Sequence, residues 1–159
     1  IPIEYIEEDS PLGTGGATLR CLDFLKGKCG IILNADTFLD IDYSILKNNI
    51  TQRINTVVTV DLEDTSRYGL ISTDANNKVL SLKEKSPSKE GFINSGCYLL
   101  FKKDFLHYDR NKNSSLETDI LPEIINNRNL NALKVYKKFI DIGIPTDFLR
   151  SSEYLKNII

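Results

Sequence analysis

Residues 31–40 read IILNADTFLD, so a short aliphatic run stops directly at an Asn and an Asp. Continuous aliphatic residues are typical of a strand in a parallel sheet that is covered on both faces. Ligands of such sheets bind beyond the carboxyl ends of the strands, where Asp36 would lie. A carboxylate at that place can hold a hard cation such as Mg2+. The alternative is that Asp36 only caps the next turn, and this stretch alone does not decide between the two.

The composition is that of an ordinary globular protein, with 41% apolar and 26% charged residues. A chain of 159 residues can bury a real core, and we expect one domain over residues 1–159. The net charge of −2, with both signs mixed along the chain, argues against binding to nucleic acid or to a membrane surface. No apolar run approaches the roughly 18 residues of a membrane span.

Three cysteines, Cys21, Cys29 and Cys97, are widely spaced, and each lies in or beside an apolar segment. Their odd number and their spacing favour buried free thiols over disulfides or a zinc site, which fits a cytoplasmic protein. The single histidine, His107, lies in a polar stretch, and we expect it at the surface.

A glycine cluster in residues 11–17, PLGTGGA, precedes apolar positions at helical spacing. With a short strand expected over residues 1–6, the order is strand, glycine loop, helix, which points free backbone N–H groups at a ligand. The cluster is neither a P-loop nor G-x-G-x-x-G. A plain turn at the start of a helix remains the alternative.

The remaining chain alternates between helical and extended patterns. We expect helices over residues 43–50, 115–127 and 146–158, and strands over 55–62, 70–73, 79–85, 92–101 and 130–138. Ser115 is a candidate N-cap, and the segments 70–73 and 79–85 form a hairpin beside the main sheet. This pattern predicts an α/β fold with a mixed sheet.

Residues 139–145, FIDIGIP, repeat the theme of an apolar segment that ends in an aspartate, here Asp141. If Asp36 and Asp141 lie at one edge of one sheet, they can share Mg2+, whose other ligands are usually substrate phosphates. Phosphoryl-type transfer needs mainly positioning and neutralisation of charge. A single histidine makes a Ser-His-Asp triad improbable.

Five segments occur in the order and approximate spacing of the sugar-1-phosphate nucleotidyltransferases: residues 11–17 (PLGTGGA), 34–37 (NADT), 84–85 (EK), 93–96 (INSG) and 139–145 (FIDIGIP). The chain resembles this family over nearly its whole length. It is most similar to bacterial guanylyltransferases for mannose 1-phosphate or D-glycero-D-manno-heptose 1-phosphate.

The resemblance implies a Rossmann-like, three-layer α/β sandwich with a mixed, mostly parallel sheet. It also implies transfer of a nucleotidyl group from an NTP to a sugar 1-phosphate for cell-surface polysaccharide synthesis. The implied cofactor is Mg2+, the implied partners are a nucleotide and a sugar 1-phosphate, and a homo-oligomer is possible.

Site residues carry over from the family by position. The metal ligands are Asp36 and Asp141, which with Lys85 form the catalytic set. The nucleotide side comprises Leu12, Gly13, Thr14, Gly15 and Asn34. The sugar side comprises Tyr68, Gly69, Glu84, Asn94 and Gly96.

Glu8 bears on the choice of base, because members that read uracil or thymine look to have a Gln at this position. Guanine offers adjacent N–H donors, and a carboxylate accepts both in strong, charge-assisted hydrogen bonds. We therefore predict GTP, with a uridylyl- or thymidylyltransferase as the alternative. Glu8 could also be one of several solvated acids beside Glu7 and Asp9.

Two departures from the family pattern stand out. The sequence contains no Met and no G-G-x-G-T-R-L segment, the loop that holds the triphosphate in the family. We expect this loop, within a strand-loop-helix part, upstream of Ile1. The second departure is Ser86, where many members have Pro, and it leaves the particular sugar open.

If that upstream part is missing, two expectations and one alternative function follow. The 159 residues alone should be inactive while the parent protein is active. Apolar sheet surface should be exposed and should favour association. A non-catalytic nucleotide-sugar binding or regulatory module is the alternative function.

Overall fold

The structure is a computed structural model that describes residues 2–83 and 90–156. Its α-helices are α1 (Gly13–Phe24), α2 (Lys47–Gln52), α3 (Leu121–Asn126) and α4 (Pro145–Lys156). Short 3-10 turns cover Tyr43–Leu46 and Lys102–Phe105, and a π-helical turn covers Leu116–Ile120. The strands are β1 (Cys29–Leu33), β2 (Thr37–Leu39), β3 (Thr56–Leu62), β4 (Leu70–Thr73), β5 (Val79–Lys83), β6 (Gly91–Phe101), β7 (Asn131–Val135) and β8 (Phe139–Asp141).

Six of these strands form one sheet in the order β5-β4-β6-β3-β7, with β1 also paired to β6. The predicted α/β fold and mixed sheet are confirmed. The expectation that the sheet is mostly parallel is wrong for the described residues, because only β3 and β7 pair in parallel and the other four ladders are antiparallel. An apolar strand shows that both faces are covered, but it does not reveal the direction of its neighbours.

Strands β3 and β6 lie at the centre of the sheet because their β-branched and aliphatic residues pack on both faces. Val57 and Tyr98 face a core formed with α1, the π-helical turn and α3. Val58 and Leu99 face a second core on the opposite side of the sheet, which also contains Leu39 of β2. Side chains of adjacent strand residues point to opposite faces, so the sheet is the middle of three layers.

The expected helix over 115–127 begins as predicted, with the Ser115 hydroxyl accepting a hydrogen bond from the Thr118 N–H. The Asp119 carboxylate accepts in return from the Ser115 N–H at 2.7 Å, which satisfies a second free donor of the helix end. The first turn is nevertheless π-helical, and α3 follows at Leu121. Such turns are rare and recur at functional sites.

Two expectations at the N-terminal end are wrong. Residues 2–6 form no strand, and the glycine cluster is not a loop before the helix, because α1 already begins at Gly13. Gly13 has φ = +70°, and a Cβ there would lie 2.5 Å from the Ser114 carbonyl oxygen. These glycines let α1 pack closely against the segment that precedes the π-helical turn.

The cysteines are all free thiols, but they differ in burial. Cys97 is buried, Cys29 is half-buried and Cys21 is exposed, so the expectation of burial is wrong for Cys21. Cys21 lies on the outer side of α1, whose buried positions include Leu19 and Leu22. Burial raises the pKa of the Cys97 thiol to about 12. His107 is at the surface as expected, with its side chain 58% exposed.

A small second sheet carries the two aspartate segments. It pairs β2 with β8 in antiparallel register, and α4 packs against β8, where the Tyr154 hydroxyl donates to the Phe139 carbonyl oxygen at 3.1 Å. In the described part of the chain β1 pairs with β6 alone, and Ile31 and Leu33 of β1 are 38% and 51% exposed. No helix in residues 2–83 or 90–156 is long and apolar enough to cross a membrane.

Candidate functional site

The structure brings Asp36 and Asp141 together. Asp36 lies in the turn between β1 and β2, and Asp141 is the last residue of β8, in register with Thr37. The Ile142 N–H donates to the Asp36 carbonyl oxygen at 2.8 Å, which extends this pairing by one residue. The predicted juxtaposition therefore arises in the small antiparallel sheet, and not at the edge of a parallel one.

Gly143 shows how close the two carboxylates are. A Cβ on Gly143 would lie 3.0 Å from the Asp141 Oδ1 and 3.7 Å from the Asp36 Oδ2, so both carboxylate oxygens lie within 4 Å of one point beside Gly143. A glycine leaves that point free of a side chain. The Gly143 N–H also donates to the Asp141 Oδ1 at 2.8 Å, which fixes the orientation of that carboxylate.

The donor set fits Mg2+. Both groups supply hard carboxylate oxygens, and this ion takes one or two carboxylates and completes its shell with substrate phosphates and water. Within residues 2–83 and 90–156 no cluster of three or more His, Cys, Asp or Glu could hold a metal, so the protein's share would be these two groups. Among the same residues no side-chain hydrogen bond of Asp36 occurs, which leaves the capping alternative without support.

Among residues 2–83 and 90–156, Arg67 is the basic residue within 4 Å of the Asp141 carboxylate, and the sequence reasoning missed it. Its Nη2 lies 3.9 Å from the Asp141 Oδ2, and its Nη1 donates to the Asp147 Oδ2. Arg150, one turn along α4, lies 3.1 Å from the other Asp147 oxygen. The hydrogen bond to Asp147 raises the pKa of the Arg67 guanidinium. Arg67 directly precedes the predicted Tyr68 and Gly69, but no spacing rule connects it with Asp147, 80 positions away.

A cleft of about 750 Å3 holds three of the predicted sugar-side residues, Tyr68, Gly69 and Asn94. Arg67 and Tyr68 also line a smaller cavity of about 310 Å3 that contains Asp141. The two cavities therefore share a wall, and the sugar-side cleft adjoins the aspartate pair. Lys83 lines the cleft as well, while the predicted Glu84 and Lys85, which follow it, lie outside the described residues.

The predicted Asn34 and Gly96 are in direct contact. Gly96 has φ = +72°, and a Cβ there would lie 2.7 Å from the side-chain amide of Asn34. The Asn34 N–H donates to the Gly96 carbonyl oxygen at 2.9 Å. A glycine is therefore needed at position 96, because the positive φ and the close approach of Asn34 both disfavour a side chain. Asn34 and Gly96 also line a small cavity of about 70 Å3.

The glycine segment contacts a residue of the cleft wall through Thr14. The Thr14 hydroxyl donates to the Glu117 Oε2 at 3.1 Å, and Glu117 lines the cleft. Leu12 is buried and Gly15 packs on Ser114, so these two positions are fixed by the protein interior. Glu8 is exposed, and its Oε2 accepts from the Leu12 N–H at 3.0 Å. Contacts of Glu8 or Gly13 with a nucleotide stay predictions.

Two further residues escaped the sequence reasoning, Tyr98 and Glu117. The Tyr98 hydroxyl is 2.5 Å from the Asn94 Nδ2 and 3.1 Å from the Glu117 Oε1. Tyr98 looked like an ordinary strand residue and Glu117 like an ordinary acidic residue in a first helical turn. Only the tertiary packing of β6 against the π-helical turn joins them to Asn94.

Comparison with known proteins gives concordant results. A family model described as nucleotidyl transferase matches residues 1–157. A D-glycero-alpha-D-manno-heptose 1-phosphate guanylyltransferase of Campylobacter jejuni is 38% identical over 148 residues, which cover 93% of this chain and 65% of that protein. The enzyme of the same name from Aneurinibacillus thermoaerophilus is 30% identical over 161 residues, covering 100% of this chain and 70% of that protein.

Among solved structures, HddC from Yersinia pseudotuberculosis complexed with GMP-PN is similar, with a TM-score of 0.80 and 34% identity. The match covers 94% of this chain and 65% of that one. The chain thus spans 65% to 70% of the length of these three proteins.

Proposed function

The chain belongs to the nucleotidyl transferase family, and from that premise we propose that the full-length protein transfers a nucleotidyl group from GTP to a sugar 1-phosphate. The products are a nucleoside-diphosphate sugar and pyrophosphate. One observation carries the proposal: the carboxylates of Asp36 and Asp141 lie close together beside Gly143, next to a cleft that holds three of the predicted sugar-side residues.

The reaction requires one bond to form and one to break. A phosphate oxygen of the sugar 1-phosphate attacks the α-phosphorus of the nucleotide, and the bond between the α- and β-phosphates breaks as pyrophosphate leaves. No net proton transfer is needed between these anions, so the protein must mainly align the reactants and offset their negative charge.

Asp36 and Asp141 would hold Mg2+ between them, and the ion when bound would neutralise charge on the phosphates. Gly143 places no side chain beside the two carboxylates, and its N–H orients Asp141. The Arg67 guanidinium lies 3.9 Å from the other Asp141 oxygen, on the side of the cleft. Lys85, close in sequence to the cleft-lining Lys83, remains the proposed cation for the sugar phosphate.

The proposed sugar is D-glycero-D-manno-heptose 1-phosphate or mannose 1-phosphate. The names of the two guanylyltransferase relatives, at 38% and 30% identity, support the heptose. In this chain the sugar would lie in the 750 Å3 cleft, where Tyr68 offers an aromatic face and Asn94 an amide. We propose a cytoplasmic reaction, because nucleoside triphosphates are made there, and we retain a homo-oligomer as a prediction.

The proposed base is guanine. A GMP-PN complex of a similar structure supports it, and so does the chemistry of Glu8, since a carboxylate matches the paired N–H donors of guanine. One Glu8 oxygen already accepts from the Leu12 N–H, which holds the carboxylate at the start of α1. Each carboxylate oxygen can accept two hydrogen bonds, so both oxygens keep a lone pair for the base.

Release of pyrophosphate by the full-length protein tests the proposal. The assay would pair GTP, UTP and dTTP with mannose 1-phosphate and with the heptose 1-phosphate, in Mg2+ and after its chelation. We expect turnover with GTP and one of the two sugars, and none without Mg2+. Binding of a nucleotide sugar with no pyrophosphate release from any pair would contradict the proposal and favour a non-catalytic binding module. Turnover with UTP or dTTP alone would contradict the assignment of the base.

A further inference from the structure

The amide of Asn94 is held in one orientation by a chain of hydrogen bonds. Its Nδ2 lies 2.5 Å from the Tyr98 hydroxyl, and its Oδ1 accepts from the Gly96 N–H at 3.0 Å. The Tyr98 hydroxyl in turn lies 3.1 Å from the Glu117 Oε1. Tyr98 is fully buried, while Asn94 and Glu117 are half-buried and line the cleft.

The direction of these hydrogen bonds follows from counting protons. A carboxylate only accepts, so the single proton of the Tyr98 hydroxyl points to Glu117. The phenol oxygen then accepts, and it accepts from the Asn94 NH2. Burial and the nearby Glu117 carboxylate raise the pKa of the Tyr98 hydroxyl, which keeps that proton in place.

A flipped Asn94 amide would lose both partners. Its Oδ1 would face a phenol oxygen whose proton is already donated to Glu117. Its NH2 would face the Gly96 N–H, which is also a donor. The observed orientation leaves one N–H and one oxygen lone pair of Asn94 unused by these partners, each in a fixed direction.

Glu117 is itself fixed from the side of α1. Its Oε2 accepts from the Thr14 hydroxyl at 3.1 Å and from the Ser115 hydroxyl at 3.2 Å. The Thr14 oxygen also accepts from the Leu116 N–H at 2.9 Å. The chain of hydrogen bonds therefore runs from the start of α1, across the π-helical turn, to the amide on β6.

We propose that Tyr98 and Glu117 are positioning residues that lock the Asn94 amide, so that the cleft selects sugar 1-phosphates by the arrangement of one hydroxyl. This inference rests on the proposed function, because it takes the cleft as the sugar site. A locked amide presents a donor and an acceptor in fixed directions, and a sugar whose hydroxyl is missing or inverted leaves them unpaired.

The test is Tyr98→Phe in the full-length protein, which keeps the ring and removes only the hydroxyl. We expect the KM for the sugar 1-phosphate to rise about tenfold, which corresponds to ~1.4 kcal/mol, while the KM for GTP is unchanged. A series of deoxy sugar 1-phosphates reads the selection directly. Wild type should discriminate against loss of one hydroxyl, and Tyr98→Phe should lose that discrimination.

Tyr108→Phe is the matched control. The Tyr108 hydroxyl also donates to a glutamate, at 2.8 Å from the Glu123 Oε2, but neither residue is among those that line the cleft. This variant loses a hydrogen bond of the same kind and should leave both KM values unchanged. An equal change in both tyrosine variants would overturn the inference.

A double-mutant cycle separates positioning from general destabilisation. If Tyr98 acts through Asn94, then Tyr98→Phe should add no further rise in the sugar KM to Asn94→Ala. Independent, multiplied effects would overturn the inference. Should Tyr98→Phe fail to fold, Glu117→Ala takes its place, because it frees the phenol proton to point to Asn94, so that only the Gly96 N–H still disfavours the flipped amide. We expect a rise in the sugar KM of roughly three- to fivefold from Glu117→Ala.

Calorimetric affinity for the sugar 1-phosphate needs no turnover and keeps the two proposals distinguishable. A wild-type protein that binds the sugar 1-phosphate but releases no pyrophosphate would contradict the proposed function, and the variants would still test the lock. If wild type turns over and the sugar affinity is unchanged in both Tyr98→Phe and Glu117→Ala, the positioning of Asn94 by Tyr98 and Glu117 is contradicted, while the proposed function stands. A wild-type protein that binds no sugar 1-phosphate contradicts both.

Discussion

The aspartate pair and the Asn94 side of the cleft are built in opposite ways. Asp36 and Asp141 lie on a short two-stranded sheet, and within the described residues the Asp36 carboxylate makes no side-chain hydrogen bond. Asn94, Tyr98 and Glu117 are bonded to one another and to Thr14. A metal site must leave its oxygens available, whereas a site that reads hydroxyls must fix its amide. We call the aspartate pair the metal end, and Asn94, Tyr98, Glu117 and their neighbours the fixed end. The difference predicts that substitutions at the metal end affect turnover and that substitutions at the fixed end affect selectivity and stability.

The largest expected effect is on turnover, from Asp141→Asn. An amide in place of the carboxylate removes one of two charges that would hold Mg2+, and we expect kcat for pyrophosphate release to fall about 1,000-fold, or ~4 kcal/mol. The matched control is Asp61→Asn, an exposed position on β3, which should keep wild-type kcat. A loss of less than about tenfold in Asp141→Asn would break the contrast between the two ends.

Gly96→Ala tests how far the fixed end depends on its backbone. The φ of +72° and the approach of Asn34 both disfavour a Cβ, so we expect a loss of about 2–3 kcal/mol in the free energy of unfolding. Urea denaturation measures it. In the control Gly27→Ala the nearest atom would be 3.4 Å away, and the free energy of unfolding should change little. An equal stability for both variants would show that this contact does not constrain β6.

Gly143→Ala acts at the metal end, and we expect a smaller free-energy change from it than from Gly96→Ala. The added methyl group would lie 3.0 Å from the Asp141 Oδ1 and 3.7 Å from the Asp36 Oδ2, close to both proposed metal ligands. We expect the Mg2+ concentration for half-maximal activity to rise about tenfold, or ~1.4 kcal/mol, with the sugar KM unchanged. Gly27→Ala again serves as the control. A rise in the sugar KM instead would mean that the two ends are not separate.

The smallest expected effect comes from Ser115→Ala, which sharpens the contrast within the fixed end. Loss of the cap to the Thr118 N–H should lower the free energy of unfolding by about 1 kcal/mol. The sugar KM should change little, because Thr14 still holds Glu117. Ser152→Ala in α4 is the control and should retain wild-type stability. A large rise in the sugar KM would show that Ser115 also helps to position Asn94 through Glu117.

Sequence patterns predicted the α/β class, the Ser115 cap and the pairing of Asp36 with Asp141, because each leaves a local signature. An aspartate that ends an apolar segment occurs twice, and the structure brings the two together. The direction of β1 was beyond reach, since a continuous aliphatic run occurs beside parallel and antiparallel neighbours alike. The packing of Ser114 beside Gly13 and Gly15 left no signature in the sequence, and a contact of the glycine segment with a nucleotide stays a prediction.

Arg67, Tyr98 and Glu117 were missed for a common reason. Each acts through a partner more than fifteen positions away in sequence: Asp147 for Arg67, and one another for Tyr98 and Glu117. No periodicity or spacing rule reports such contacts. In the resemblance to the family, the functional residues were those expected to touch the substrates, and the residues that hold them in place became visible only in the folded chain.

The central claim is that Asp36 and Asp141 serve one metal ion, and a double-mutant cycle on kcat tests it most directly. Pyrophosphate release would be measured for Asp36→Asn, Asp141→Asn and the double variant of the full-length protein in saturating Mg2+. If one ion needs both carboxylates, either single variant already loses it, so the double variant should be no slower than the slower single one. Losses that multiply in the double variant, or a single variant with wild-type kcat, would contradict the claim.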